Sequence, residues 1–224
     1  MKTNKLILLF VGAVLSGCVT YSYKPIEMHV VDADTNQPLE GVIVVARWSL
    51  EVGTVGGNVE IGNLQIMETT SDNSGQVYFP EWGPKTVIRG RLDARGAQLL
   101  FFKPGYKIEG GGNSDVLWQS KHPKISQWDG ETFQLKKYKG SVEDYAKQVY
   151  MLGSDIDNAL QLRNNDDHCL WKKIPKIIIS LNNQSILFEK QNIYPYGSKV
   201  LRIGDIPSST ACGSPYEFFK EYQK

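Results

Sequence analysis

The chain has 224 residues, of which 41% are apolar and 11% aromatic, enough for one good core or two small ones and too apolar for a disordered tail. Lys and Arg together number 25 against 24 Asp and Glu, and no basic run gathers on one predicted face, so the electrostatic footprint of a nucleic-acid binder is missing. At the N-terminus Lys2 and Lys5 precede an apolar run over residues 6–15. These are the charged and hydrophobic regions of a secretory signal, too short to span a bilayer as a helix.

At the end of that run Leu15-Ser16-Gly17-Cys18 resembles the lipobox of bacterial lipoproteins, in which small residues fit the processing peptidase and the cysteine thiol takes a diacylglyceryl group before cleavage. The resemblance implies a signal peptide over residues 1–17, a mature N-terminus at Cys18 and a membrane anchor through its lipid. The alternative is an ordinary cleaved signal with a cysteine nearby. With Lys2 and Lys5 removed, basic residues fall by two from 25 against 24 acidic, so the mature chain is nearly neutral. In a Gram-negative host, Val19 in place of the aspartate that retains lipoproteins in the inner membrane implies outer-membrane sorting, facing the periplasm.

Residues 18–24 read as a tether, and a β-sandwich is expected from residue 25. Ile26, Met28 and Val30 alternate with Glu27 and His29, the period of a half-buried strand that points His29 outward. Residues 28–48 read as the first hairpin, folded about a turn in which Asp34, Asn36 and Pro38 supply the chemistry. Its second strand, over 41–50, is apolar on both faces in its first half, as a central strand would be. Residues 52–62 are glycine-rich and read as a long loop or loose hairpin. A further hairpin is expected from strands at 64–70 and 76–79 about the turn at 71–75, with Pro80 as terminator. Strands at 86–92 and 98–103 follow, and one at 131–137 closes an antiparallel sandwich of about seven strands.

Asp32 with Pro38-Leu39-Glu40-Gly41-Val42, Ser71-Asp72-Asn73-Ser74-Gly75-Gln76 leading to Phe79, and Lys103-Pro104-Gly105-Tyr106 resemble the carboxypeptidase regulatory-like domain. The resemblance covers residues 25–138 and implies a Greek-key, transthyretin-like β-sandwich. In carboxypeptidases that domain is a non-catalytic companion, and elsewhere it is a module of surface proteins; no carboxypeptidase catalytic domain accompanies it here. Its motifs are turn chemistry and say little of function. This chain departs from the pattern at residues 52–62 and at 110–130, which hold Trp118 and Trp128, and insertions of that kind are where a private function sits.

Beyond residue 138 the period changes, and residues 139–224 read as a helical module with an extended tail. Ser141 with Asp144 forms a capping box ahead of Val142, Tyr145, Val149 and Leu152 at helical spacing. Ser154 is placed to cap a second short helix, and Pro175 suits the first turn of a third, running to about residue 191. Three short helices bury little surface alone, so they are expected to pack on the sandwich. Residues 193–224 read as looped, with an amphipathic turn at Phe218 and Phe219. The fold class is thus mainly β with an α appendage.

Candidate chemistries are few. Asp32, Asp34 and Asn36 have the alternating oxygens of a calcium loop, but Gln37 and Ile43 stand where glycine and a bidentate glutamate belong. The same run superficially resembles the nucleophile of aspartate-based phosphatases but lies in a predicted turn without the α/β context. His29, His122 and His168 fall on separate predicted elements without zinc-site spacing, and Asp167-His168-Cys169 lacks the sequence separation usual for a nucleophile and its base. No metal or cofactor is expected. With Cys18 lipidated, Cys169 and Cys212 form one even pair in an oxidising compartment and are expected to be disulfide-bonded; the rival is two separate thiols. Trp82, Trp118 and Trp128 lie in or beside predicted loops, where they either stack on sugar rings or plug the seam between sandwich and helices. The leading expectation is a non-enzymatic envelope lipoprotein, a binding or scaffold module whose partner is an envelope protein or glycan. A glycan- or peptidoglycan-binding module and an envelope hydrolase with a scattered site are the alternatives.

Overall fold

In the computed structural model the described residues are 19–112, 126–163 and 168–222, so Cys18, Trp118 and His122 lie outside them. Ten strands and three α-helices are found among these residues. β2 (Ile26–Asp32) buries Ile26, Met28 and Val30 and exposes Glu27 and His29, the expected alternation. It is the central strand of a small sheet, with β5 (Gln76–Phe79) antiparallel on one side and β10 (Thr132–Leu135) parallel on the other. The second sheet has the order β4 (Gly57–Thr70), β3 (Ile43–Thr54), β8 (Gln98–Phe102), β9 (Glu109–Gly111). β7 (Arg91–Leu92) pairs with the far end of β3.

The two sheets enclose one core, in which Ile26, Met28 and Val30 meet Val42, Val44, Ala46, Trp48, Phe79, Leu99 and Phe101. The architecture is a β-sandwich with a C-terminal helical part, and several local pairings differ from the sequence expectation. Residues 28–48 are not a hairpin: both edges of β2 are taken by β5 and β10, and the chain crosses to the other sheet before β3. The turn between them is knotted by Asp32, whose carboxylate accepts from the amides of Asp34 and Thr35 at 3.0 Å each. Gly41, at φ 74°, then redirects the chain as only glycine does cheaply.

Residues 64–79 likewise form a corner between sheets. The turn at 71–75 is built as predicted, with Asp72 accepting from the amides of Ser74 and Gln76. Its last residue, however, belongs to β2: the Gly75 carbonyl accepts from Val30 N at 2.8 Å, and a Cβ at Gly75 would lie 2.4 Å from the Val30 carbonyl oxygen. That close approach hands β5 to β2 instead of β4. Residues 19–23, expected in a tether, form β1 (Val19–Tyr23) against β6 (Trp82–Val87). Residues 52–62, read as a long loop or loose hairpin, are a hairpin: they form the end of the β3–β4 ladder, closed by a tight turn between Thr54 and Gly57. The parallel β10–β2 pairing departs from an all-antiparallel sandwich.

β3 is buried on both faces, as its apolar run requires. Val44, Ala46 and Trp48 face the sandwich core, while Ile43 and Val45 join Ile66 and Phe102 in a second cluster covered by the helices. α1 (Val142–Leu160) begins where Ser141 Oγ accepts from Asp144 N at 3.1 Å. It runs unbroken through Ser154, so the expected second helix does not exist. The glycine before that serine serves packing instead: a Cβ at Gly153 would meet Leu201 Cβ at 3.1 Å. α2 (Pro175–Lys190) starts on proline, and α3 (Pro215–Lys220) carries Phe218 and Phe219 against Trp171, with centroids 5.0 and 5.7 Å away. Cys169 and Cys212 are disulfide-bonded, with Cα atoms 5.4 Å apart, as the cysteine count predicts.

The residue preceding α2, Ile174, offers no side-chain cap, and the sandwich supplies one. Glu68 on β4 accepts from Lys176 N at 2.8 Å and Ile177 N at 2.9 Å, satisfying two of the orphan donors of the helix start. Burial pushes the Glu68 carboxyl up to about 7 against the pull of those amides and of Lys176. Between the ordinary glutamate value and 7 the folded state therefore holds a proton that the unfolded state has lost, and stability falls as pH rises through that window. Conversion of the shift gives at most about 3 kcal/mol. Glu68→Gln keeps the carbonyl acceptor, so urea denaturation of this variant at pH 5 and pH 8 should show much of the wild-type loss abolished; an unchanged loss would contradict the assignment.

Candidate functional site

Among the described residues, those singled out by motif do not converge on a reactive centre. Besides the two turn amides, the buried Asp32 carboxylate accepts from Thr35 Oγ1 at 3.2 Å and Tyr106 Oη at 2.8 Å, with Lys137 Nζ at 3.4 Å. The tyrosine bond, the amides and the lysine together hold its carboxyl at about 2 despite burial, and burial with the Asp32 charge pushes Tyr106 up to about 12. Each of these interactions closes a turn or ties the 32–37 turn to the segments after β8 and β10. The same holds for Ser71, which donates to the Leu39 carbonyl at 2.6 Å and accepts from Val42 N at 2.9 Å, and for Lys103, whose Nζ donates to the Glu40 carbonyl at 2.7 Å. Asp34 pairs with Lys139 at 3.2 Å. The two carboxylates of the calcium-like run are thus engaged within the fold, and the described residues hold no group of three or more metal-type ligands.

Two of the three candidate sugar-stacking tryptophans are described, and the structure separates them. Trp82 is 6% exposed and stacks on Tyr23 at 6.0 Å, with Trp48 edge-on at 5.4 Å. It is a residue of the sandwich core with no ring face for a sugar, packed under β1 and away from the helices, so it is neither a loop platform nor a plug of the seam between sandwich and helices. Its local sequence, between Pro80 and Pro84, reads as loop because the strand partner that buries it is β1. Trp128 is half-buried at the edge of the same sandwich core, edge-on to Phe101 at 5.9 Å and to Phe133 at 6.0 Å. Trp118 lies outside the described residues. His29 stands exposed on β2, and Cys169 is consumed in the disulfide.

What the fold does build is a cleft of about 340 Å³ between the second sheet and α1. Val45, Ile66 and Leu100 form its sheet wall, Leu152, Ile156 and Leu160 its helix wall, and Arg47, Arg95, Gln98 and Asp155 supply polar groups. Arg47 donates to Glu60 Oε1 at 2.5 Å and Gln98 Oε1 at 2.7 Å. Arg95 makes a forked pair with Asp93, Nη2 to Oδ2 at 2.6 Å; burial works against ionisation of Asp93, but these bonds prevail and hold its carboxyl below the usual range. The described lining is apolar with oriented guanidinium groups and an amide, a set suited to holding a ligand rather than attacking one. Sequence reading missed this cleft because its walls are contributed by residues that alternate apolar and polar for ordinary packing reasons. The only signal was a strand β3 apolar on both faces.

No family model matches the chain, and no curated protein matches it. Among solved structures it is similar to the C-terminal domain of the shaft pilin spaA from Lactobacillus rhamnosus GG, at 13% identity over 53% of this chain and 99% of that one, with a TM-score of 0.26. It is also similar to a 9R-lipoxygenase from Cyanothece PCC8801, at 14% identity and a TM-score of 0.24, over 87% of this chain but 29% of the enzyme. At those TM-scores neither likeness carries an argument about this chain.

Proposed function

We propose that this chain is a non-enzymatic lipoprotein of the bacterial cell envelope, held at the membrane through lipidated Cys18 and acting there as a binding or scaffold module. Residues 25–138 are, in this reading, a carboxypeptidase regulatory-like domain, and the sheet–α1 cleft is where a partner segment or amphipathic ligand docks. The observation that supports it best is the use to which the motif residues are put. Asp32, Ser71, Lys103 and Tyr106, the polar side chains that carry the family resemblance, are engaged in closing turns, which suits a framework domain and leaves none of them available as an acid, base or nucleophile. The lipobox at Leu15-Ser16-Gly17-Cys18 supplies the address, and outer-membrane sorting follows from Val19 if the host is Gram-negative. No helix among the described residues is long and apolar enough to cross a membrane, so attachment in this reading falls to the lipid.

Cys18→Ala tests it. A single acyl chain gives only marginal attachment and two or more give stable attachment, at about 0.8 kcal/mol per buried CH₂. The variant should accumulate as an unprocessed precursor or a soluble periplasmic form, while the wild type fractionates with membranes and detergent. Processed Cys18→Ala protein that still partitions quantitatively with membranes would overturn the lipid anchor.

A further inference from the structure

The β3–β4 hairpin carries its ladder past the sandwich as an arm, with residues 53–61 exposed throughout. The arm is two-faced. Val52 stands opposite Val59 in the ladder, and a Cβ at Gly90 would meet Ile61 Cδ1 at 2.7 Å and Val52 Cγ1 at 3.4 Å. Val52, Val59 and Ile61 therefore share the face beside the segment 88–90. The opposite face is polar and internally paired: Asn58 Nδ2 and Arg91 Nε donate to Glu51 Oε1, and Arg47 to Glu60. The apolar face is as open to solvent as the polar one, with Val59 50% and Ile61 40% exposed, Val55 fully exposed at the tip and Ile88 89% exposed beside it. An exposed apolar cluster of this kind marks an interaction surface.

Its position identifies the occupant. In the β1–β6 register Val19 stands opposite Val87. Because the pairing is antiparallel, the direction in which the chain leaves β1 at Val19 is the direction in which β6 continues into Ile88. Cys18 is one peptide unit from Val19, about 3.8 Å between Cα atoms, so an acyl anchor on Cys18 and the exposed side chain of Ile88 belong to the same end of the molecule. Arg89, exposed next to Ile88, matches the phosphates of the headgroup layer. We infer that the arm tip (Val55, Val59, Ile61) together with Ile88 is a membrane-contacting face, seated in the headgroup and upper acyl region around the Cys18 anchor, so that the lipoprotein stands on the bilayer in a fixed orientation. This rests on the anchoring reading above and adds the surface and the orientation.

The test uses full-length protein expressed with its signal, purified in detergent and reconstituted into phosphatidylethanolamine–phosphatidylglycerol vesicles. Val55→Cys, Ile88→Cys and Tyr216→Cys variants each carry an environment-sensitive dye, and the mass of the N-terminal peptide reports acylation in the same samples. Tyr216 serves as the reference because it is 64% exposed on α3. Emission at positions 55 and 88 should move to the blue on reconstitution and be quenched by a lipid-borne nitroxide several-fold more than at 216. Equal quenching at all three positions with an acylated N-terminal peptide overturns the contact face while leaving the anchor standing. Blue emission at 55 and 88 that is already present without vesicles and ignores the quencher is shielding by a second copy of the chain and also overturns it. An unacylated N-terminal peptide overturns the anchoring reading, and this assignment with it.

Discussion

Replacing Cys169 and Cys212 together by serine should cost this protein about 4 kcal/mol of stability, the loop-closure entropy of a 43-residue separation in the chain-entropy model. That is a large share of what a domain of this size commands. The loss should fall unevenly. Cys212 lies in a segment whose own structure is a single bridge between Ser209 and Gly213 and a bond from its amide to Ser209 Oγ at 3.0 Å. Cys169, at φ 52°, leads into the short helical turn that places Trp171 against Phe218 and Phe219. Without the bridge, residues 207–222 depend on that aromatic cluster, whereas Val200, Leu201 and Ile203 stay in the core with α1 and α2 and Arg202 keeps its bonds to Ser185 and Glu189 of α2. Amide exchange should therefore accelerate first over 207–222, while β2 and β3 keep their protection. A denaturant midpoint in the double variant that matches the wild type, with an unchanged slope, would show that the bridge constrains nothing the packing does not already hold.

Phe102→Ala is expected to destabilise by about 3–5 kcal/mol, the range for emptying a buried aromatic site. Phe102 is fully buried and pairs with Ile43 across β8 and β3. Its side chain lies in the cluster that Ile43, Val45 and Ile66 share with Val149, Leu152, Ile177 and Leu181 of the helices, whereas its neighbour Phe101 points into the sandwich core. The truncation therefore opens a cavity at the seam between the sheet and the helices. Because that seam is apolar core and Glu68 reaches across it to α2, the sandwich and the helices should unfold together in one transition. Coincident loss of the far-ultraviolet helix signal and of tryptophan fluorescence in wild type and variant checks this. A variant in which the helices melt well before the tryptophan signal changes would show two independent units instead.

Much of the local structure was legible before any tertiary contact was known, and for local reasons. The alternation of Ile26, Met28 and Val30 with Glu27 and His29 marks β2, because side chains on a strand point to opposite faces and only one face finds a core. Ser141 announces α1 and Pro175 announces α2, since a cap or a first-turn proline acts within one turn of chain. The turn at 71–75 closes on its own aspartate, and the cysteine count leads to the pair that the structure joins.

What the sequence by itself determined is therefore where most of the strands, helices and turns fall and which face of each is apolar, with β1 and the unbroken run of α1 the exceptions. Which strand lies beside which was decided only by the tertiary structure. Backbone donors and acceptors are chemically alike in every strand, so nothing local in residues 28–48 distinguishes a hairpin from a crossover; the choice was made by Gly75 packing on Val30 and by β10 taking the other edge of β2. The same reason hides Trp82, buried by a strand 59 residues earlier in the register Tyr23↔Trp82, and the cap of α2, which comes from Glu68 at a separation of 109 residues from Ile177. It also hides the unbroken run of α1 through Gly153, since a glycine ahead of a serine reads as a helix end until Leu201 is seen lying against it. Periodicity is a property of a few consecutive residues, whereas partner choice is settled by packing between residues far apart in the chain, and the sheet–α1 cleft belongs wholly to the second kind.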